Sequence, residues 1–366
     1  MFDIEEELKK LPDDPGVYIM HDSHDGIIYI GKAKSLTKRV HQYFQTSHDE
    51  GIKKKQMVEH IAWFEYIITD SELEALVLEC NLIKEHRPKY NTMLRDDKTY
   101  PYIKVTLGEQ FPRVLFSRIA KKDGSRYFGP FSSPTAVKDT IDLVQKLFMI
   151  RNCSRKLPDT IGKERPCLNF HMKQCQGVCQ GYVSREEYAV NVERAMRFLN
   201  GDDKEILSEL TKKMQEASDD MDFERAAQIR DQINSVKFCT QKQKITNTNG
   251  DDQDIVAFTA EGEDACAVIF FIRNGKLIGR DHFFMKTSDD ISESEGLKSF
   301  LQQFYSGTPL IPHEIYAKCE PDDKESIEEW LSSRRGQKVT ISVPKRGQKA
   351  RLVELAEKNA KLVLSN

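Results

Sequence analysis

Apolar positions along the first ninety residues change period several times, and each change marks an element. Residues 4–10 read as a short helix that stops before Pro12. Gly16-Val17-Tyr18-Ile19-Met20 is a β-branched and aromatic run typical of a strand, and Ile27-Ile28-Tyr29-Ile30 follows a polar turn as its hairpin partner. Strand alternation puts Tyr29 on the face opposite Ile28 and Ile30. Gly31 is expected to let the chain turn sharply, and Ser35 to cap a helix running to about Phe44, on which Arg39 and Tyr43 share a face. Phe64 to Thr69 reads as a third strand. Ser71-Glu72-Leu73-Glu74 has the form of a capping box that opens a helix through about Glu85. Leu73, Leu76, Cys80 and Ile83 form its core stripe, with Glu79 at the edge, where a carboxylate is either partnered or holding a cation.

Further along, Asp96-Asp97-Lys98 is a polar loop, Tyr102 to Leu107 and Arg113 to Arg118 alternate as strands, and Tyr127-Phe128-Gly129-Pro130-Phe131 reads as a turn. Thr135 to Phe148 is an amphipathic helix, and Ser184 with Glu187 caps another over 184–200. A helical hairpin then spans Asp203 to about Lys244, turning at Asp219-Asp220-Met221-Asp222. Its stripe runs through Leu207, Leu210, Met214 and Ala217, then Phe223, Ala226, Ile229, Ile233 and Val236. Two short helices bury little alone, so either a partner helix pair or packing within the chain must cover them. The polar stretch around Asn247, Asn249 and Gly250 reads as a linker. Strands at 254–260, 265–272 and 276–285, with Asn274-Gly275 as a hairpin turn, precede helices at 293–305 and 322–333, a strand at 338–343 and a helix at 348–363. The fold class expected is α+β multidomain, with boundaries at 1–98, 99–150, 151–200, 201–240, a linker at 241–253, and an α/β segment at 254–366.

Composition narrows the class. A chain of 366 residues is long enough for two to four domains. Its longest apolar run, Ala265 to Ile272, is far shorter than the ~18 residues that span a bilayer, and the acidic start Asp3-Ile4-Glu5-Glu6-Glu7 is unlike a signal peptide, so a cytoplasmic location is expected. A net charge of −3 argues against nucleic acid until its distribution is considered. Lys146 to Gln180 carries seven Lys/Arg against Asp159 and Glu164, and Lys32, Lys34, Lys38 and Arg39 form another basic group. Four of the eight cysteines, Cys153, Cys167, Cys175 and Cys179, fall in that first stretch with the spacing C-x13-C-x7-C-x3-C. Such a local group points to metal rather than disulfides, and the spacing leaves zinc and an iron–sulfur cluster both open.

Two tyrosines on a hairpin, a lysine, an arginine and a helical carboxylate suit phosphodiester cleavage. The block resembles the GIY-YIG nuclease family, with Gly16-Val17-Tyr18 and Tyr29-Ile30-Gly31 as its half-motifs and Val17 where isoleucine is usual. Within it, Tyr29-Ile30-Gly31-Lys32-Ala33-Lys34, Glu74-Ala75-Leu76 with Glu79, and Pro88-Lys89-Tyr90-Asn91 resemble the UvrC family of excision-repair incision subunits. The resemblance implies a small antiparallel sheet with flanking helices over 1–98, cutting DNA 3′ to a lesion. It implies Tyr29 as general base, Tyr18, Lys32, Arg39, Tyr43 and Asn91 as catalytic companions, and Glu79 as ligand of Mg2+ or Mn2+. A phenol near its usual pKa of about 10 is a poor base, so cations such as Lys32 are expected to lower it. The same resemblance tips the cysteines toward a [4Fe-4S] cluster, although Val178 stands where many relatives have proline. Arg151, Arg155, Lys156, Lys163, Arg165 and Lys173 are then expected on a knob facing the DNA backbone. The run Phe223 to Asp231 resembles the UVR motif, implying UvrB as partner through Phe223, Ala226, Ala227, Ile229 and Arg230. Residues 254–366 resemble the opening of the RNase H-like half, with its acidic site and helix-hairpin-helix tail expected beyond Asn366. A stand-alone nuclease of the same fold and a non-catalytic DNA-binding scaffold are the competing classes.

Overall fold

In a computed structural model, residues 2–45, 52–95, 98–241, 244–245, 251–287 and 291–365 are described. The chain opens with α1 (Ile4–Leu8), then β1 (Gly16–His21), β2 (Ile27–Ala33), α2 (Leu36–Phe44), α3 (Ile52–His60), β3 (Trp63–Ile68) and α4 (Glu72–His86). The three strands pair antiparallel in the order β2-β1-β3. Alternation along β1 sorts its side chains onto two helical layers. Tyr18 and Met20 pack with Leu36, Val40, Tyr43 and Met57, while Val17 and Ile19 pack against Ala75 and Ile83 of α4. Ser35 caps α2 and Ser71 caps α4 by accepting main-chain N–H bonds.

After β4 (Met93–Leu94) come β5 (Tyr102–Val105), β6 (Val114–Ser117), β7 (Arg126–Phe128), α5 (Pro134–Phe148), α6 (Leu168–His171), α7 (Arg185–Leu199), α8 (Lys204–Asp219), α9 (Phe223–Gln241) and β8 (Lys244–Ile245). The remaining elements are β9 (Gln253–Glu261), β10 (Asp264–Arg273), β11 (Lys276–Lys286), α10 (Glu293–Gly307), β12 (Glu314–Ala317), α11 (Lys324–Arg335), β13 (Thr340–Ser342) and α12 (Gly347–Leu364). Contacts divide the chain into one unit of Met1–Asp97, Gln253–Phe270 and Asp281–Asn366, and another of Lys98–Asp252 and Phe271–Arg280. No helix among the described residues is long and apolar enough to cross a membrane.

In the first unit a mixed sheet runs β13-β12-β9-β10-β11-β4, with β12 parallel to both neighbours and β4 antiparallel to β11. In the second, β6-β5-β7 forms a small antiparallel sheet. One core there joins Ile103, Val105 and Phe148 to Tyr188, Val192 and Phe198 of α7 and to Leu210, Ile229, Ile233 and Val236 of the helical hairpin. The hairpin stripe is therefore covered by α5 and α7 of its own unit, and the segments 99–150, 151–200 and 201–240 share one interior.

Several elements lie outside the sequence pattern, α6 and β8 among them. The helix α3 has three consecutive lysines and little apolar period, and β4 and β12 have two and four residues. Tyr127 and Phe128, read as a turn, belong to β7, and the turn starts at Gly129 with φ +137°. The loop at 96–97 and most of the polar linker, 242–243 and 246–250, lie outside the described residues.

Candidate active site

Pairing of β1 with β2 sets Tyr18 opposite Gly31 and Met20 opposite Tyr29, so both tyrosines share a face. Tyr43 of α2 completes a trio whose ring centroids are 5.6 Å (Tyr18–Tyr43), 6.0 Å (Tyr29–Tyr43) and 6.2 Å (Tyr18–Tyr29) apart. The hydroxyls of Tyr18 and Tyr43 are 2.7 Å apart. Gly31 lies inside β2 rather than at a turn, which corrects the reading of that glycine. Its missing Cβ makes room for the phenol, since a Cβ there would meet the Tyr18 hydroxyl at 2.3 Å. Arg39, one turn before Tyr43, stacks its guanidinium 5.7 Å from the Tyr43 ring centre.

Burial pushes the Tyr18 phenol well above its ordinary pKa, Tyr43 adds to the rise, and Arg39 opposes it. The Tyr29 phenol is likewise raised, by burial first and then by Tyr43 and Tyr18. The expectation that Lys32 lowers Tyr29 is thus corrected. The Lys32 ammonium turns away, 2.6 Å from Glu72 and 3.2 Å from Asp323.

Glu79 is 4% exposed. One carboxylate oxygen accepts the main-chain N–H of Lys32 at 2.9 Å, and the other accepts Nε2 of Gln302 at 3.1 Å. The Lys298 ammonium lies 3.6 Å away. Tyr18, Tyr29, Lys32, Arg39, Tyr43 and Glu79 all line one cavity of about 930 Å³, with Glu295, Lys298, Asp322 and Asp323 on its other side. Asn91 stands behind it. Its Oδ1 accepts the N–H of Ile30 at 2.9 Å and its Nδ2 donates to the carbonyl of Ile30 at 2.8 Å, closing the free edge of β2. Sequence reasoning missed Lys298, Gln302 and Asp323. They sit far along the chain on α10 and before α11, in a segment whose composition gives no site.

The cysteines occupy loops of the second unit. Cys175 and Cys179 are buried, and Cys153 and Cys167 are half-buried. Burial pushes the Cys175 thiol up, and the other three thiols add to it, so all four lie within electrostatic reach. Among the described residues, no group of three or more His, Cys, Asp or Glu side chains closes to metal-holding distance. Arg151 is not on an exposed knob. It is 2% exposed, with its guanidinium donating to the carbonyls of Phe111, Cys153 and Arg155 and to Glu109. Arg155 pairs with Glu164, while Lys156, Lys163, Arg165 and Lys173 remain exposed. Along α9, Phe223 and Arg230 are exposed, Ala226 and Ala227 half-buried, and Ile229 buried in the core. A second cavity of about 1280 Å³, lined by residues of α5, α9 and β11, contains none of the tyrosine constellation.

Family models match the chain in four successive stretches: a UvrC-like GIY-YIG domain at residues 14–92, the UvrC/Cho excinuclease middle domain at 100–198, the UvrB/uvrC motif at 204–237, and the UvrC ribonuclease H-like domain at 252–366. The UvrABC system protein C of Lachnospira eligens is 57% identical over 365 residues, covering 100% of this chain and 60% of that protein. That of Acetivibrio thermocellus is 54% identical, covering 100% and 58%. The chain thus spans about 60% of the length of these curated relatives. Among solved structures, the magnesium-bound GIY-YIG N-terminal endonuclease domain of UvrC from Thermotoga maritima is 39% identical, covering 25% of this chain and 99% of that one, with a TM-score of 0.23. With four UvrC-type models matched end to end and relatives aligned over its whole length, the chain belongs to the UvrC family.

Proposed function

We propose that this chain carries a metal-dependent DNA endonuclease site that hydrolyses one phosphodiester 3′ to a lesion, as an incision subunit of nucleotide excision repair. The observation that carries the reading is the meeting of Tyr18, Tyr29, Arg39, Tyr43 and Glu79 around one open cavity. Glu79 is the residue that would hold Mg2+ or Mn2+. A carboxylate lining an open cavity fits a hard cation that keeps most of its waters. When bound, that cation supplies charge against the developing phosphorane and acidifies water.

The chain's own residues do the rest. Arg39 offers a bidentate fork to the phosphate oxygens. Tyr18 and Tyr43 are joined through their hydroxyls, so one phenol donates to the other, and the second phenol's proton is the one that orients the phosphate. Tyr29 takes the proton of the attacking water, a role that needs positive charge brought beside its raised phenol. Lys32 offsets phosphate charge, and Asn91 holds β2, and with it Tyr29, in register. Damaged duplex DNA is the substrate, and UvrB the partner recruited through the UVR hairpin. Exposed Phe223 and Arg230, flanked by Ala226 and Ala227, support that role better than Ile229, which serves the interior.

The four thiols would hold a [4Fe-4S] cluster, with zinc as the alternative. The N–H groups of Arg151 and Gln180, 3.8 Å and 3.7 Å from the Cys153 and Cys179 sulfurs, suit thiolates. Anaerobically purified protein is expected to show a broad visible absorption band that Cys175→Ser abolishes; a colourless protein with bound zinc favours the alternative.

The test of the nuclease reading is incision of a lesion-bearing duplex with UvrB present. Arg39→Ala and Glu79→Gln are each expected to lose about 100-fold or more. Full activity in both variants removes the assigned site.

A further inference from the structure

The cavity that gathers the tyrosines is walled on one side by residues from far downstream. Lys298, on α10, sets its ammonium 3.6 Å from Glu79 and 2.7 Å from Asp323. Asp323 reaches on to Lys32 at 3.2 Å. An ammonium therefore stands beside the carboxylate that would hold a cation, and a carboxylate stands beside a lysine that would meet phosphate. The Lys32 and Lys298 side chains are only 2% and 16% exposed, so these charges are weakly screened. Glu295 and Asp322 line the same cavity, as do Lys34 and Lys38.

The conformation of Asp323 is an independent sign. It occupies the N-cap position of α11, where aspartate ordinarily accepts a helix N–H, yet it makes no capping bond. Its backbone has φ +55°, a left-handed conformation that aspartate adopts more readily than most side chains. The side chain that forgoes the cap reaches two lysines instead.

We infer that Lys298 and Asp323 form an internal latch on the nuclease cavity. The ammonium takes the cation's place at Glu79, and the carboxylate takes the phosphate's place at Lys32. The site is shut to both until α10 and the start of α11 move aside. Opening strands no charge: Lys298 and Asp323 keep each other, Glu79 turns to the incoming cation, and Lys32, still 2.6 Å from Glu72, turns part of its charge to phosphate. This inference rests on the reading of Glu79 as the metal-holding carboxylate.

The test is a Mn2+ titration of the 366-residue chain, followed by loss of the free-ion paramagnetic resonance signal. Lys298→Met keeps the stem and removes the charge, and is expected to tighten Mn2+ binding about tenfold. Asp323→Gly suits the left-handed backbone, which offsets part of what the lost ion pairs to Lys32 and Lys298 cost, so its melting temperature should fall only slightly. It is expected to bind a short DNA duplex about fivefold more tightly by fluorescence anisotropy. Unchanged or weaker Mn2+ binding by folded Lys298→Met overturns the latch. Should that variant fail to fold, Asp323→Gly decides, and no gain in duplex affinity overturns it. Lys298→Met/Glu79→Gln separates the two readings. A Mn2+ gain that survives there overturns Glu79 as the metal seat and the latch with it. Binding that Glu79→Gln abolishes but Lys298→Met leaves unmoved overturns the latch alone.

Discussion

The tyrosine cavity and the four-cysteine segment gather reactive groups in opposite ways. In the cavity every group is delivered by a regular element: Tyr18 and Tyr29 by paired strands, Arg39 and Tyr43 by one helix face, and Glu79 by another. Strand register and helical spacing set these positions to within hydrogen-bond reach without any ligand. Cys153 and Cys175 instead sit on loops, Cys167 precedes a four-residue helix, and Cys179 lies inside a three-residue 3-10 turn. Loop thiols acquire their final spacing from what they bind, since the backbone alone holds them loosely. What does hold that segment is a buried cation, Arg151, wired to three carbonyls and Glu109. One region is organised by packing alone; the other packs Leu157, Ile161 and Val178 into the shared core and adds a buried charge.

The strongest way to break this contrast is Arg151→Met. Removing the guanidinium strips the carbonyls of Phe111 and Arg155 of this donor and leaves Arg113 alone on Glu109 and the Cys153 carbonyl, with an expected loss of about 2–4 kcal/mol, read by urea unfolding. A loss below about 1 kcal/mol means that packing alone organises the cysteine segment too.

Next in size is Gly31→Ala. The added methyl collides with the Tyr18 hydroxyl, so the trio must open. About 1–3 kcal/mol of stability and nearly all incision activity should be lost, measured by thermal melts and single-turnover cleavage. Tyr18→Phe in the same background is expected to recover part of the stability but not the activity.

Asn91→Ala strips both hydrogen bonds from Ile30 and should cost about 1–2 kcal/mol, with faster amide exchange confined to β2. Uniform loosening of all three strands would place the register elsewhere.

The smallest effect concerns Glu109. Burial alone would raise its carboxyl, but the guanidiniums of Arg113 and Arg151 hold it below the ordinary carboxylate range. A depressed folded pKa contributes stability above the unfolded value of about 4.5, and that contribution is lost as pH falls through the folded pKa. The melting temperature of the parent should therefore exceed that of Glu109→Gln at pH 6, and the gap should narrow below about pH 4.5. A gap independent of pH removes the ion pairs as its cause.

Much of the fold was legible because local signals agreed with tertiary ones. Serine caps at 35, 71 and 184, the alternation of β1, and the Asn274-Gly275 turn with φ +49° and +71° all stand where the sequence puts them. The tyrosines, Arg39, Glu79 and Asn91 were singled out by the resemblance to the family's motifs, and spacing on those elements added that Arg39 and Tyr43 share a face. What stayed illegible depends on neighbours distant in sequence. Nothing local distinguishes Lys298 from other helix lysines, and Asp323 looks like an ordinary cap. Arg151 reads as one of a basic cluster until Glu109 and three carbonyls surround it. Gly31 is informative in sequence for the wrong reason: the space it leaves is used by a side chain on the next strand.

The two-residue strand β4 has a consequence for how sequence change can reach this molecule. Met93 and Leu94 join the larger sheet beside Met285 and Lys286, Arg95 donates to the carbonyl of Phe284, and Gln303 clasps the main chain of Thr92 and Leu94 from the other side. The seam is stitched by peptide groups, which every residue except proline carries in full. Drift at positions 93 and 94 therefore leaves the attachment intact, whereas one proline, or a single inserted residue that shifts the register, would unpick it.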